Sequence, residues 1–292
     1  MEDTAVAGVA DAFPRVDGIL HCEDVPLPEL VARWGTPLYV YSQGAIRERY
    51  RELDEALAPV PHLIAYSVKA NGNLGVLRTL AELGAGCDIV SAGELHRALL
   101  AGIPGERIVF SGVGKTVHEL AAALRAGIYA FNVESEGELC ALSDLACAMG
   151  TRAPVALRVN PDIDTPTPHA YTRTGHAATK FGIAAARARA LYCIAAKMPG
   201  IRVRGIDVHI GSQILEVAPF RQALDYVLDE GGLILDGREL GVAGPVSLVA
   251  TAEKGSALIQ LAARSKPGSP TKRLRGILPK GLEDSVPTAG SG

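Results

Sequence analysis

Aromatic residues, cysteines and long apolar runs are all scarce in this chain. Phe, Trp and Tyr together make up 5% of the residues, and none of them follows Tyr226. No apolar stretch is long and clean enough to span a bilayer, so we expect no membrane-spanning segment. The five cysteines are scattered, odd in number and without a CxxC pair. This pattern favours reduced thiols in a cytoplasmic protein over disulfides or a zinc site.

The chain also lacks a large excess of either positive or negative charge. The net charge is −3 at pH 7, which argues against a protein that binds nucleic acid by neutralising phosphates. Apolar residues make up 48% of the 292 residues, enough for a large core. The chain starts with Met1-Glu2-Asp3, which does not match the basic start of a secretory signal.

Short β-like runs alternate with Ala- and Leu-rich helical stretches between about Pro61 and Tyr226. This alternation predicts parallel strands joined by crossover helices. Glycines such as Gly84 and Gly102 are placed as left-handed caps after the helices. A closed barrel has eight such units, and an open doubly wound sheet gives the same alternation. The six strands predicted here are His62–Val68, Cys87–Val90, Arg107–Phe110, Ile128–Val133, Pro154–Val159 and Ile201–Ile210.

Lys69 ends the first of these runs, directly after Tyr66-Ser67-Val68. At the C-terminal end of a buried strand, its side chain is expected to point into the mouth of a barrel rather than into solvent. A partly desolvated ammonium loses its proton more easily. The resulting amine forms a Schiff base with an aldehyde cofactor. The alternative is a solvated loop lysine, which is the more common case on position alone.

Four more polar residues stand at predicted strand ends. His209 and Ser212 belong to the sixth strand and its loop, Asp88 lies in the second strand, and Arg158 is near the end of the fifth. Their simpler explanations are a polar strand-end histidine, a Gly-Ser turn and a structural ion pair of the arginine. A carboxylate inside a buried strand is costly unless it is paired, so Asp88 is harder to explain in this way.

The most selective motif follows the fifth predicted strand, where a His-Ala-Tyr-Thr-Arg-Thr-Gly-His run over 169–176 precedes Lys180-Phe181-Gly182. Two histidines this close raise the question of a metal, but no carboxylate or cysteine completes a ligand set, so we expect none. With the Lys69 and His209 motifs, in the same order, this stretch resembles the fold-type III pyridoxal-phosphate decarboxylases. Among them it is most similar to the diaminopimelate decarboxylases. The resemblance covers roughly the first three quarters of the chain.

This resemblance implies an α/β fold, an incomplete (β/α)8 TIM barrel of the fold-type III kind without its C-terminal β-domain. It implies pyridoxal 5'-phosphate as cofactor, with Lys69 as the Schiff-base residue and His209 stacked on the ring, both catalytic. Ser212 then contacts the phosphate, while Asp88 and Arg158 support the cofactor. The implied reaction removes carbon dioxide from meso-2,6-diaminopimelate to give L-lysine. The family is homodimeric, and its substrate is a small amino acid.

Two alternatives stay open beside this lyase activity in lysine biosynthesis. One is another fold-type III decarboxylase, acting on ornithine or arginine. The other is a non-catalytic remnant of the fold that binds the cofactor or a partner protein.

The sequence departs from the resembled family after about Leu228. The Gly-rich phosphate loop, a Glu-Pro-Gly-Arg-like segment and the C-terminal β-domain are not legible there. Gly231-Gly232 echoes the Gly-rich loop only faintly, and two glycines after a helix are more typical of a C-terminal cap. We therefore expect a truncated or frame-disrupted gene product, with slow turnover or none.

Three segments follow from these patterns. Residues 1–42 are predicted to be an entry segment, with a short helix and then a strand within Gly35–Tyr41. Residues 43–230 are predicted to form the partial cofactor-binding barrel. Residues 231–292 are predicted to be a divergent, flexible tail, because their later part is rich in Ser, Pro, Gly and basic residues.

Overall fold

A computed structural model describes most of the first 211 residues and three shorter stretches after them. The described ranges are 12–59, 61–161, 181–211, 218–235, 248–253 and 256–258. No helix within these ranges has both the length and the apolar character needed to cross a membrane.

The N-terminal part of the structure differs from its prediction. It starts with a small antiparallel sheet of β1 (Arg15–Val16), β2 (Ile19–Cys22) and β3 (Val25–Pro26), and α1 (Leu27–Trp34) follows at once. The strand predicted within residues 35–41 is wrong, since these residues have no regular structure. Pro37 removes a backbone donor from this stretch, and none of its residues is paired to a described strand.

The six predicted barrel strands are all confirmed. They pair side by side in chain order, each parallel to the next. A two-residue strand, β9 (Ile183–Ala184), adds to the end of the fifth one. The six strands are β4 (His62–Ser67), β5 (Gly86–Ile89), β6 (Ile108–Phe110), β7 (Ala130–Val133), β8 (Ala153–Asn160) and β10 (Ile201–Asp207).

Helices connect these strands as crossovers. Several begin at a side-chain cap, for example at Thr116, where the hydroxyl accepts from the Glu119 backbone N–H and the Glu119 carboxylate accepts from the Thr116 N–H. The predicted glycine caps are confirmed, with φ of 85° at Gly84 and 94° at Gly102. The connecting helices are α3 (Leu74–Glu82), α4 (Ala92–Leu100), α5 (Val117–Arg125), α6 (Glu136–Ala148) and α7 (Ala185–Ala195). Helix α2 (Gln43–Leu57) precedes β4, and α8 (Ala218–Leu235) follows β10.

The region after the sixth barrel strand contains more regular structure than the sequence indicates. Helix α8 runs through Gly231 and Gly232, so the prediction that these glycines cap a helix is wrong. Strand β11 (Leu248–Glu253) pairs parallel to β4, and β12 (Ser256–Leu258) pairs antiparallel to β11. The free backbone edge of β4 explains this pairing, because it offers unpaired donors and acceptors. The three-segment division of the chain stays a prediction.

The core lies between the sheet and the helices. Apolar residues at alternating positions along the strands are buried in one large cluster. This cluster includes Leu157 and Val159 on β8 and Ile206 on β10. Tyr192 on α7 is fully buried, and its hydroxyl donates to the Gly205 carbonyl at 2.8 Å. Because side chains alternate along a strand, the residues between these apolar positions face the inside of the curled sheet, where the polar side chains gather.

Candidate active site

Buried polar side chains follow one another along the C-terminal edge of the parallel sheet. In a barrel of this type, this edge carries the catalytic groups. We call this set the polar row. Its members are Ser67 on β4, Asp88 on β5, Ser111 after β6, Asn132 on β7, Glu134 after β7, Arg158 and Asn160 on β8, Asp207 on β10 and His209 after β10.

Lys69 lies beside the first member of this row but is less enclosed than predicted. It sits in a short 3-10 turn, Val68–Ala70, immediately after β4. The residue is exposed, so the predicted partial desolvation is wrong, because Lys69 lies beyond the strand rather than in it. The positive charge of Lys69 still acts on the site, because it lowers the pKa of both Asp88 and His209.

Asp88 is held by hydroxyl groups from both neighbouring strands. Ser111 Oγ donates to its Oδ1 at 2.6 Å, and Ser67 Oγ lies 3.4 Å from its Oδ2. The Asn132 amide in turn donates to Ser111 at 3.0 Å. Burial raises the pKa of Asp88 to about 6, against the opposing effects of Ser111, Lys69 and Arg158. The predicted cost of a buried carboxylate is therefore offset only in part by hydrogen bonds.

Arg158 forms a buried ion pair with Glu134. The Nη1 of Arg158 lies 3.1 Å from Glu134 Oε1, and the two side chains are 5% and 2% exposed. Glu134 also accepts from the backbone N–H groups of Gly112 at 2.9 Å and Gly182 at 3.2 Å. This contact gives Arg158 the structural ion pair that the sequence left as an alternative. Its role beside the cofactor stays a prediction.

The Phe181-Gly182 part of the selective motif reaches this ion pair. The guanidinium of Arg158 stacks over the Phe181 ring, with 5.1 Å between Cζ and the ring centroid. Gly182 has a φ of 70°, and a Cβ built on it would lie 2.6 Å from Asn160 Oδ1. Only glycine therefore fits at position 182 without strain. Because it has no side chain, its backbone N–H can come close enough to donate to Glu134.

His209 is buried directly after β10, at the other end of the row from Lys69. The Gly211 N–H donates to its Nδ1 at 3.3 Å, which places the proton of the neutral ring on Nε2. Burial, together with the charges of Arg158 and Lys69, holds the pKa of His209 well below its ordinary value. A neutral, fixed imidazole suits stacking against a flat ligand.

Sequence reasoning missed six of the nine members of the row. No role was assigned to Ser67, Ser111, Asn132, Glu134, Asn160 or Asp207, although each lies in or directly after a predicted strand. The signal was present, because Asn132 and Asp207 are polar residues inside buried strands, which is the argument that selected Asp88.

Two parts of the predicted site lie outside the described residues. These are Ser212 and the motif over 169–176, with Lys180. Within the described ranges, no three or more His, Cys, Asp and Glu side chains are grouped to hold a metal ion. The expectation that the chain binds no metal stays a prediction, because both motif histidines are among the residues not described.

Comparison with known protein families identifies the barrel. Residues 43–243 match the family model described as "Pyridoxal-dependent decarboxylase, pyridoxal binding domain". The chain belongs to the pyridoxal-dependent decarboxylases. This match covers all six barrel strands and every described member of the polar row.

Relatives in this decarboxylase family are similar over most of the chain. Diaminopimelate decarboxylase of Pseudomonas aeruginosa is 49% identical over 234 residues, which cover 80% of this chain and 55% of the relative. The enzyme of that name from Vibrio cholerae is 51% identical over 212 residues, covering 73% of this chain and 51% of the relative. The chain thus spans about half the length of the curated relatives it matches.

Solved structures of the family confirm the predicted fold class. Diaminopimelate decarboxylase from Helicobacter pylori, complexed with L-lysine, has a TM-score of 0.69 and 38% identity, covering 72% of this chain and 54% of that one. The M. jannaschii enzyme in co-complex with L-lysine has a TM-score of 0.73 and 34% identity, covering 82% and 56%. The sheet is therefore an incomplete (β/α)8 barrel of the fold-type III kind, and not an open doubly wound sheet.

Pyridoxal phosphate is the cofactor of this family, and the described residues fit it. The cofactor needs a lysine, a contact for its ring and polar groups that tune it. Lys69 and His209 stand at opposite ends of the row, and the buried Asp88 and Arg158 lie on the strands between them. The described residues thus include an amine, an imidazole and charged groups of both signs at one edge of the sheet.

Proposed function

We propose that this chain acts in the pyridoxal-phosphate-dependent decarboxylation of meso-2,6-diaminopimelate to L-lysine. The observation that carries this proposal is the 43–51% identity to diaminopimelate decarboxylases of several bacteria over 73–93% of this chain. Fold alone does not define a substrate, so the substrate is inferred from these relatives.

The residues would share the work of holding the cofactor. Lys69 provides the amine that attaches it covalently, and its exposed position leaves room for an aldehyde to approach. His209 provides a neutral ring to stack on the cofactor face. Arg158 and Asp88 support it from the central strands, and Ser212 contacts the phosphate.

When bound, pyridoxal phosphate accepts the electron pair that the breaking bond to the carboxylate leaves behind. The chain contributes charge and proton control around it. Asp88 has its pKa raised to about 6, so its carboxylate is mostly ionised at neutral pH. The negative charge favours the protonated state of the nitrogen on Lys69.

His209 acts in the opposite sense. Its lowered pKa keeps the imidazole neutral at neutral pH, so no further positive charge competes at the ring. The proton on its Nε2 then stays in place, because Nδ1 accepts from the Gly211 N–H.

Release of carbon dioxide tests the substrate. Purified chain is supplied with pyridoxal phosphate and, in separate reactions, with meso-diaminopimelate, ornithine or arginine, and Lys69→Ala is the control. We expect release above the control from meso-diaminopimelate only. Faster release from ornithine or arginine would assign another decarboxylase of this fold. Cofactor uptake without release from any of the three would favour a non-catalytic binding protein.

A further inference from the structure

Asp207 and Arg158 both carry buried polar atoms that no described residue satisfies. Asp207 is 2% exposed, and neither of its carboxylate oxygens has a hydrogen-bond partner in the described part of the chain. The Nε of Arg158 is also buried and has no such partner there. Because buried polar groups are nearly always paired in native proteins, two of them in one place require an explanation.

The two side chains are neighbours across the sheet. Asp207 on β10 is in register with Arg158 on β8. Residues in register on adjacent strands point to the same face of a sheet. Leu157 and Ile206, one position earlier on each strand, belong to the apolar core. Asp207 and Arg158 therefore share the opposite, polar face.

Arg158 is fixed by its other contacts but has one edge left for a second anion. Its Nη1 pairs with Glu134 at 3.1 Å, and its flat face lies on Phe181. The Nε–H belongs to a different edge of the planar guanidinium. An acceptor on the neighbouring strand is thus complementary to the unused part of the arginine.

Charges around Asp207 favour this partner over others. After burial, Arg158 has the largest effect on the pKa of Asp207 and lowers it. Glu134 and Asp88 raise the pKa, and Lys115 lowers it to a smaller extent than Arg158 does. The carboxylate of Asp207 also raises the pKa of the hydroxyl of Tyr192 on α7.

We propose that Asp207 is a positioning residue for Arg158. Its carboxylate attracts the guanidinium through space, without a hydrogen bond to it, and thereby helps Glu134 to keep the guanidinium in place at the strand ends. This inference rests on the proposed function only for the purpose of Arg158, which is to support the cofactor. The attraction itself belongs to the chain and is present without cofactor.

The first test measures the attraction in cofactor-free protein. Urea unfolding at pH 8 is compared for the wild type, Asp207→Asn, Arg158→Met and the double variant. We expect the two substitutions to be coupled by about tenfold in the unfolding equilibrium constant. The exposed Asp144 on α6 is the matched control, and Asp144→Asn should add to Arg158→Met without coupling.

Simple additivity of Asp207→Asn and Arg158→Met would overturn the inference. If Arg158→Met does not fold, Arg158→Lys replaces it in the same cycle. Lysine keeps the charge but not the planar fork, so we expect a smaller coupling that is still above the Asp144→Asn control. Additivity in that cycle also overturns the proposal.

The second test measures positioning through cofactor affinity. The dissociation constant of pyridoxal phosphate is titrated by visible absorbance for the same variants. We expect Asp207→Asn to weaken binding by about three- to tenfold, the range of one polar contact. In the Arg158→Met background the same change should have no further effect. Equal weakening in both backgrounds would show that Asp207 acts independently of Arg158.

The two tests separate the two hypotheses. If the wild-type chain takes up no pyridoxal phosphate, the proposed function fails, and the cofactor-free cycle alone decides whether Asp207 holds Arg158. If the chain binds the cofactor but the cycle is additive, the proposed function stands and the positioning role fails.

Discussion

The two sides of the site, the strand ends of β8 and β10 at one end and the turn after β4 at the other, differ in how firmly they are enclosed. Arg158 lies on β8, between β7 and β10, and its ion pair with Glu134 is almost fully buried. Lys69 lies in a turn after β4, the strand whose other neighbour is β11, and it is exposed. The enclosed end can be organised in advance by paired charges. The open end leaves an amine accessible, as the proposed covalent attachment requires, because the aldehyde needs room to approach.

We expect the largest loss of stability from breaking the buried ion pair between Arg158 and Glu134. Arg158→Met leaves the Glu134 carboxylate buried without its cation, which costs about 3–5 kcal/mol. The matched control is Arg187→Met on α7, whose partner is Glu136. That pair spans 3.2 Å, but its side chains are 65% and 54% exposed, so we expect a loss of about 1 kcal/mol or less.

Urea unfolding of both variants checks this difference. Equal losses for Arg158→Met and Arg187→Met would contradict the conclusion that the enclosed end is held by its charges. Adding Glu134→Gln to Arg158→Met should recover part of the loss, because it removes the unpaired charge.

The pH dependence of stability gives the next effect. Burial raises the pKa of Asp207 from an ordinary 3.8 to about 7. Between these values the folded chain holds one more proton than the unfolded chain, so the free energy of unfolding falls as the pH rises. The slope from this group is at most about 1.4 kcal/mol per pH unit. Asp88, with a pKa of about 6, adds a slope of the same sign over a narrower range.

His209 opposes these slopes. Because its pKa is lowered in the folded chain, the unfolded chain takes up its proton first, and stability falls as the pH drops below the ordinary value of 6.5. Subtracting the unfolding curve of Asp207→Asn from that of the wild type isolates Asp207. We expect a difference that changes between about pH 4 and pH 7; parallel curves over that range would contradict the burial of a titrating carboxyl.

We expect the smallest loss of stability from a change in the middle of the polar row, at Ser111. Ser111→Ala removes the 2.6 Å hydrogen bond to Asp88 and the acceptor of the Asn132 amide. We expect a loss of about 1–3 kcal/mol at pH 8 and a further rise in the pKa of Asp88. Ser135→Ala, which removes only a helix cap on α6, should cost about 1 kcal/mol without moving the titration. Identical pH profiles for the two variants would show that Ser111 does not control Asp88.

The sequence predicted the strands and the strand-end positions well. Apolar runs bounded by glycine and helix caps located β4 to β8 and β10, because burial on both faces leaves a clear pattern in the residues. The same reasoning placed Asp88, Arg158 and His209 on one edge of the sheet, where the structure has them.

The enclosure of each side chain was not predictable in the same way. The exposure of Lys69 depends on a turn that begins one residue before it, and boundaries of elements are their least predictable feature. The pairing of Arg158 with Glu134 joins residues from different strand ends, and no local pattern specifies such a partner. Helix α8 continues through Gly231 because the propensity of one residue is a weak constraint on a long helix.

The attachment of the cofactor to Lys69 is the central claim, and one measurement tests it most directly. The chain is incubated with pyridoxal phosphate, reduced with borohydride and digested, and the modified lysine is located by mass spectrometry. Lys197, an exposed lysine just after α7, provides the control. We expect the cofactor on Lys69 in the wild type and in Lys197→Ala, and its loss in Lys69→Ala. Modification spread over several lysines, or persisting in Lys69→Ala, would contradict the assignment of Lys69.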